Sequence, residues 1–184
     1  MKFASRFFSF PAVMLIGGCV TTGMERAASN GAEEAPKAGA TLLDANGEPQ
    51  GSATLTEAAE GVHVVVKAGG LTPGLHAVHI HMTGVCTPPD FASAGGHWNP
   101  TGKQHGKDNP NGKHMGDMSN MLAGADGAGE IEYVAAGATI RGADIPLIDV
   151  DGAAIVIHAG ADDEISDPAG NAGGRVVCGV VTAG

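Results

Sequence analysis

At 184 residues with a formal charge of −10, the chain is long enough for one domain with an ordinary core, and too acidic to be drawn to nucleic acid or an anionic lipid surface. Thirty glycines without a fixed period exclude collagen; with ten prolines and short valine-rich runs they point to an all-β domain with long loops. A small anionic substrate is not excluded, provided positive charge gathers at one mouth.

In chain order, Lys2 and Arg6 precede an apolar run from Phe7 to Gly18, interrupted by Pro11. That run is too short to span a bilayer and suits a signal-peptide core. Its end, Leu15-Ile16-Gly17-Gly18-Cys19, resembles a bacterial lipoprotein cleavage box. Residues 1–18 are therefore read as a signal peptide and Cys19 as the lipidated first mature residue, with an ordinary signal peptide as the alternative. The mature protein is expected in the periplasm or cell envelope, touching a membrane only through that lipid. Losing 1–18 removes two positive charges and no acid, which takes −10 to −12. Residues 19–38 read as a flexible tether and 39–184 as the folded domain. With Cys19 lipidated, Cys86 and Cys178 remain as a pair in an oxidising compartment, and their disulfide is worth about 4–5 kcal/mol in the chain-entropy model.

Strands are expected at Ala40–Asp44, Ser52–Glu57, Val62–Ala68, Leu75–His81, Asp117–Leu122, Glu130–Ala135, Ala154–His158 and Arg175–Val181. Alternation supports this: Val62, Val64 and Val66 share one face, His63, Val65 and Lys67 the other. Eight short strands separated by turn residues suggest a closed or nearly closed antiparallel sandwich or barrel. The connections 82–116, 136–152 and 159–174 are too long for hairpins, and loops of that length are usually functional.

The histidines carry the chemistry. His79 and His81, two apart on a strand, share a face about 6.6–6.8 Å apart along the backbone, so both rings can reach one ion. His76 has the opposite parity and reads as a buried supporting residue. His97, His105, His114 and Asp117 fall within 21 residues of a polar loop that has no packing reason to hold three imidazoles. Three imidazoles and a carboxylate form a closed tetrahedral set, the pattern of structural zinc. His158 ends the apolar run Ile155-Val156-Ile157; with His79 and His81 it makes an all-nitrogen site that suits copper. His97 can serve both ions if it loses both ring protons. Asp162 is a candidate supporting carboxylate; the alternative is one more solvated acid.

Five segments resemble copper–zinc superoxide dismutase: Gly74-Leu75-His76-Ala77-Val78-His79-Ile80-His81, Gly95-Gly96-His97-Trp98-Asn99-Pro100, His114-Met115-Gly116-Asp117, His158-Ala159-Gly160-Ala161-Asp162-Asp163, and Gly170-Asn171-Ala172-Gly173-Gly174-Arg175 followed by Cys178-Gly179-Val180. The resemblance runs from about Gly39 to the end. It implies an eight-stranded antiparallel Greek-key barrel, copper at His79, His81, His97 and His158, and zinc at His97, His105, His114 and Asp117. It also implies that Asp162 bonds a ligand of each metal, that Cys86 pairs with Cys178, and that Arg175 orients a superoxide anion. The implied reaction is a ping-pong disproportionation in which His97 leaves copper on reduction and delivers a proton to departing peroxide. Trp98 stands where a smaller aromatic is usual, and the loop after Asp163 is short and lacks lysine. Steering is therefore assigned to Lys103, Lys107 and Lys113 with Arg175; the alternative is that the lysines are ordinary solvated charges. A non-catalytic copper or zinc module of the same fold is the rival reading, but no ligand is missing. A cupin dioxygenase needs a glutamate soon after His-x-His, and residues 82–90 contain none. The sequence leaves monomer and homodimer both open.

Overall fold

The computed structural model describes residues 35–142 and 144–184. The expected signal peptide, Cys19 and most of the tether lie outside the described residues.

The described residues form ten strands: β1 (Lys37–Asp44), β2 (Pro49–Ala58), β3 (Gly61–Ala68), β4 (Gly74–His76), β5 (Val78–His81), β6 (Met121–Ala123), β7 (Gly129–Ala136), β8 (Ala154–His158), β9 (Arg175–Val180) and β10 (Thr182–Ala183). Eight of them make one antiparallel sheet, in the order β5-β8-β9-β1-β2-β3-β7 with β10 added against β1. Only β4 and β6 pair apart from it. The first strand thus lies between the second and the ninth, a crossover pattern that no simple meander produces. The fold is all-β, as expected. It starts slightly earlier than the sequence suggested, because Lys37 and Ala38 already pair with Thr56 and Leu55.

The β3 alternation is real. Val62, Val64 and Val66 are fully buried, and Lys67 on the opposite face is exposed. With Leu42, Leu55, Ile80, Ile155 and Ile157 they form the main core. Burying each such side chain contributes about 1.5–3 kcal/mol, an upper bound for a compact unfolded chain. On β8 the parity splits: Ile155 and Ile157 enter this core, while Ala154 and Val156 pack with Phe91, Ala94 and Cys178 in a second, smaller cluster.

Two expected strands are corrected. Leu75–His81 is not one strand but two. Ala77 donates its N–H to the Gly160 carbonyl and accepts from the His158 N–H, so the chain changes partner there. Before it, His76 pairs with Met121; after it, His79 pairs with Val156. Asp117–Leu122 is strand only from Met121. The Asp117 carboxylate and the Asn120 amide are taken up by contacts to the loops, which bend residues 117–120 out of register.

Candidate metal centre

Strand β5 is buried on both faces. Val78 and Ile80 face the core; His79 and His81 face the long loops, with ring centroids 6.4 Å apart. Two loop segments dock along this strand. Trp98 N–H donates to the Ile80 carbonyl, Ile80 N–H to Gly116, and Gly116 N–H to Trp98. This lattice puts His97 beside His81 and Asp117 beside His79. It depends on Gly116, where a Cβ would stand 2.3 Å from the Ile80 carbonyl oxygen. His158, at the end of neighbouring β8, brings its ring to 4.9 Å from His79 and 5.8 Å from His81.

Each imidazole has one nitrogen fixed by the protein. His79 Nε2 bonds Asp162 Oδ2 at 2.8 Å, His81 Nδ1 the Gly95 carbonyl at 2.9 Å, and His158 Nδ1 the Gly173 carbonyl at 3.2 Å. The other nitrogens have no hydrogen-bond partner: His79 Nδ1, His81 Nε2, His97 Nε2 and His158 Nε2. Buried polar atoms are rarely left so. Four such atoms in residues whose ligand atoms lie within 4.8 Å of one another describe a place for a cation. His97 turns its Nδ1 the other way, to Asp117 Oδ1 at 2.8 Å. His105 Nδ1 and His114 Nδ1 approach the same oxygen, each at 3.1 Å. Asp117 Oδ2 is meanwhile held by the N–H groups of Gly106 and His114. Three imidazoles thus converge on one carboxylate oxygen. The residues here whose ligand atoms all lie within 4.8 Å of one another are His79, His97, His105 and Asp117. His114 is not in that group and joins through its 3.1 Å approach to Asp117, while His79 belongs to both groups, so the two sites nearly touch.

Asp162 joins the sites. Its second oxygen, Oδ1, lies 3.0 Å from His105 Nε2, so one carboxylate holds a ring from each group. Gly170 closes over it with φ +61°, where a Cβ would strike Asp162 Oδ1. Asn120 fixes the backbone beneath: its Oδ1 accepts the Asp162 N–H at 2.7 Å and its Nδ2 donates to the Asp162 carbonyl at 2.9 Å. His76, also buried, spans from the His158 carbonyl (2.7 Å) to the Thr72 carbonyl (2.8 Å), outside both groups.

The electrostatics follow from burial. Desolvation drives His79 down to about 3, the Asp162 bond only partly offsetting it, His81 to about 2 and His158 to about 4; His97 is lowered as well. All are neutral donors at pH 7. Burial also pulls on His105, but the bonds to Asp117 and Asp162 outweigh it and raise it to about 9. Burial opposes ionisation of Asp117 and Asp162 too, yet their imidazole and backbone N–H partners hold both well below the usual carboxylate range.

The rings open onto a cleft of about 290 Å³ lined by His97, His158, Asn99, Pro168, Ala169 and Arg175 among others. Arg175 is clamped by Nη1–H to the Phe91 carbonyl and Nη2–H to the Gly95 carbonyl, both 2.7 Å. The Cys86–Cys178 disulfide, with Cα atoms 5.7 Å apart, ties the loop carrying those carbonyls to β9. The three lysines lie elsewhere: none lines this cleft. Lys107 pairs with Asp108 at 2.8 Å and with Glu164. Lys113 donates to the Asp117 carbonyl at 3.1 Å and sits 4.7 Å from the Tyr133 ring centroid. Lys103 is exposed, with its backbone held by Asn99. Two groups escaped the sequence reading. Asn120 resembles any loop asparagine, and Tyr133 any half-buried strand aromatic; each acts through tertiary contacts with no sequence spacing to reveal them.

Residues 49–181 match the copper/zinc superoxide dismutase (SODC) family. A Cu-Zn superoxide dismutase of Aquifex aeolicus is 46% identical over 147 residues, spanning 79% of this chain and 86% of that protein. One from Caulobacter vibrioides is 42% identical over 145 residues, spanning 77% and 83%. Among solved structures, a SOD-like protein from Bacillus subtilis superposes with a TM-score of 0.73 at 39% identity, covering 77% of this chain and 96% of that one. The Cu/Zn superoxide dismutase of Brucella abortus gives 0.62 at 28%, covering 78% and 98%.

Proposed function

Since the chain belongs to the copper/zinc superoxide dismutase family and converts superoxide to oxygen and hydrogen peroxide with copper and zinc, we propose which of its atoms do so. Copper would be held by His79 Nδ1, His81 Nε2, His97 Nε2 and His158 Nε2. Zinc would be held by His97 Nδ1, His105 Nδ1, His114 Nδ1 and Asp117 Oδ1. The observation carrying this is that five buried imidazole nitrogens lack a hydrogen-bond partner: four of them make one full copper set, and the fifth, His105 Nδ1, lies on the zinc side, where His97 also turns its Nδ1. All-nitrogen donors suit copper, and three nitrogens with a carboxylate suit zinc.

When bound, copper supplies the one-electron couple that the reaction needs. The protein does the rest. Arg175, held rigid by two carbonyls, presents fixed positive charge where a superoxide anion enters. His97 Nε2, in the same cleft, would hold a proton only when it is not a copper ligand, and would then pass that proton to the departing peroxide. Asp117 and the zinc set keep the opposite edge of that ring in place. Asp162 and the Gly95 and Gly173 carbonyls fix the other rings, as partners of metal-binding histidines do. The test is metal analysis with a superoxide-consumption assay on one sample. Copper and zinc near one each per chain, and a His158→Ala variant that keeps zinc but loses activity, are expected; full activity without copper overturns the assignment.

Export belongs to the same proposal. A lipid on Cys19 would anchor the catalytic domain in the cell envelope through residues 19–38, as a monomer or a homodimer. The support is the Leu15–Cys19 sequence and the disulfide between the other two cysteines. Cys19→Ser should leave the protein unprocessed or released; unchanged membrane recovery with normal processing refutes the anchor.

A further inference from the structure

We propose that Tyr133 and Lys113 form a latch that positions the turn 113–117 on the sheet and so sets the affinity of the zinc site. This rests on the zinc assignment above. The turn carries two of the four proposed ligands, His114 and Asp117. Its inner side is fastened to β5 through Gly116. Its outer side has a separate attachment. Tyr133, in the middle of β7 and paired with Val64 of β3, packs half-buried against the core beside Met115. Its hydroxyl donates to the Met115 carbonyl at 2.9 Å, at the centre of the turn. Lys113 folds back across the turn, its ammonium 4.7 Å from the Tyr133 ring centroid and donating to the Asp117 carbonyl at 3.1 Å.

Each contact acts on a different point. The hydroxyl fixes the middle of the turn. The ammonium joins its first residue to its last and is drawn to the electron-rich face of the aromatic ring. Together they leave His114 and Asp117 little freedom, so less ordering remains to be done when an ion binds. Lys113 is thereby given to the turn rather than to the substrate cleft, which it does not line. Tyr133 is the only tyrosine in the chain, so no other phenol substitutes for it.

The experiment uses the mature, copper-loaded protein and measures zinc affinity by chelator competition, with cobalt substitution as a spectroscopic check on geometry. Tyr133→Phe keeps the ring and removes the hydroxyl; Tyr133→Leu removes both; Lys113→Met removes the ammonium; Lys113→Arg keeps a cation and a donor. Groups that orient metal ligands typically change affinity 10–100-fold, and for these more distant contacts we expect roughly tenfold weaker zinc in Tyr133→Phe and Lys113→Met. Tyr133→Leu should be weaker still, Lys113→Arg close to the parent, and Tyr133→Leu combined with Lys113→Met less than additive. The cobalt spectrum should shift in the same order. Zinc affinity unchanged in Tyr133→Leu and Lys113→Met overturns the latch, including where the metal-free melting temperature falls, because the pair is then only structural. A slower, salt-sensitive reaction in Lys113→Met with zinc unchanged also overturns it, in favour of steering. If the parent protein takes no zinc or cobalt at these ligands, the failure lies in the metal assignment.

Discussion

Each copper-side imidazole uses one nitrogen to grip the protein and leaves the other bare. In the metal-free chain the bare atoms are a cost, since an unsatisfied buried polar group loses about 1–3 kcal/mol. Stripping the metals should therefore lower the melting temperature well beyond the loss of the ions' own contacts, and restoring zinc alone should recover part of it. The depressed histidines add a pH dependence. His79, His81 and His158 stay neutral in the folded chain down to about 3, 2 and 4, while in the unfolded chain they take protons below about 6.5. Their contribution is present above pH 6.5 and lost as pH falls toward those values. His105, raised to about 9, has the opposite sign: its contribution is complete below 6.5 and fades as pH rises through 9. The metal-free melting temperature should fall steadily from pH 7 to pH 5, and a His81→Gln variant should flatten that slope. Asn120→Ala leaves the Asp162 N–H and carbonyl without their partner, and a loss of about 1–3 kcal/mol is expected by denaturant titration. At this scale the sequence was legible where side-chain parity and ligand type decide, as at His79, His81 and the imidazoles of residues 97–114. It was silent at Asn120 and Tyr133, whose roles exist only after two distant loops meet.

Strand β5 shows how an element makes the centre possible. Its four residues are buried on both sides because sheet packing covers one face and two loops cover the other. The alternation of Val78, His79, Ile80 and His81 was readable, but the break at Ala77 was not. Nothing in the local pattern says that an alanine will bond to Gly160 and His158 instead of continuing a strand. The same holds for 117–120, where polar side chains leave the ladder to serve the loops. Two substitutions probe the element. Gly116→Ala puts a methyl 2.3 Å from the Ile80 carbonyl oxygen, so the loop must lift from β5 and carry Asp117 with it. Loss of zinc before copper is expected by metal analysis. The disulfide acts at longer range, closing a separation of 92 residues. Replacing Cys86 and Cys178 with serine should cost about 2–5 kcal/mol. It should also slow the reaction in protein that remains folded and metal-loaded, because Phe91 and Gly95, which clamp Arg175, sit in the loop the disulfide secures. An unchanged rate would mean that the clamp stands without the disulfide.

Over the whole molecule, the charge opposes the substrate. The chain's net charge of −10 repels an anion, and attraction must come from the mouth of the cleft. There the cation is Arg175, and it shares an adjoining hollow of about 510 Å³ with Asp90. Of the lysines that the sequence offered for steering, Lys107 is paired with two acids, and Lys113 is held on the zinc-side turn. Lys103 remains: it is exposed, and its backbone is fixed by Asn99, which lines the cleft. Screening extends over roughly 30 Å at 0.01 M salt but only about 8 Å at 0.15 M, so raising salt removes the distant repulsion before the local attraction of Arg175. A kcat/KM that stays level or rises between those ionic strengths is therefore expected, rather than the steep fall of a protein with a positive funnel. Lys107→Gln leaves Asp108 and Glu164 without their cation but lies outside the lining of the cleft, so its effect should be smaller than that of Lys103→Glu and should vanish at 0.15 M salt. Lys103→Glu should lower the rate at low salt, and Asp90→Asn should raise it, both differences closing as salt increases. Each variant is compared at equal copper and zinc content. A rate that falls with salt in the parent and drops in Lys107→Gln would return steering to the lysines of the metal loop and remove Asp90 from the account.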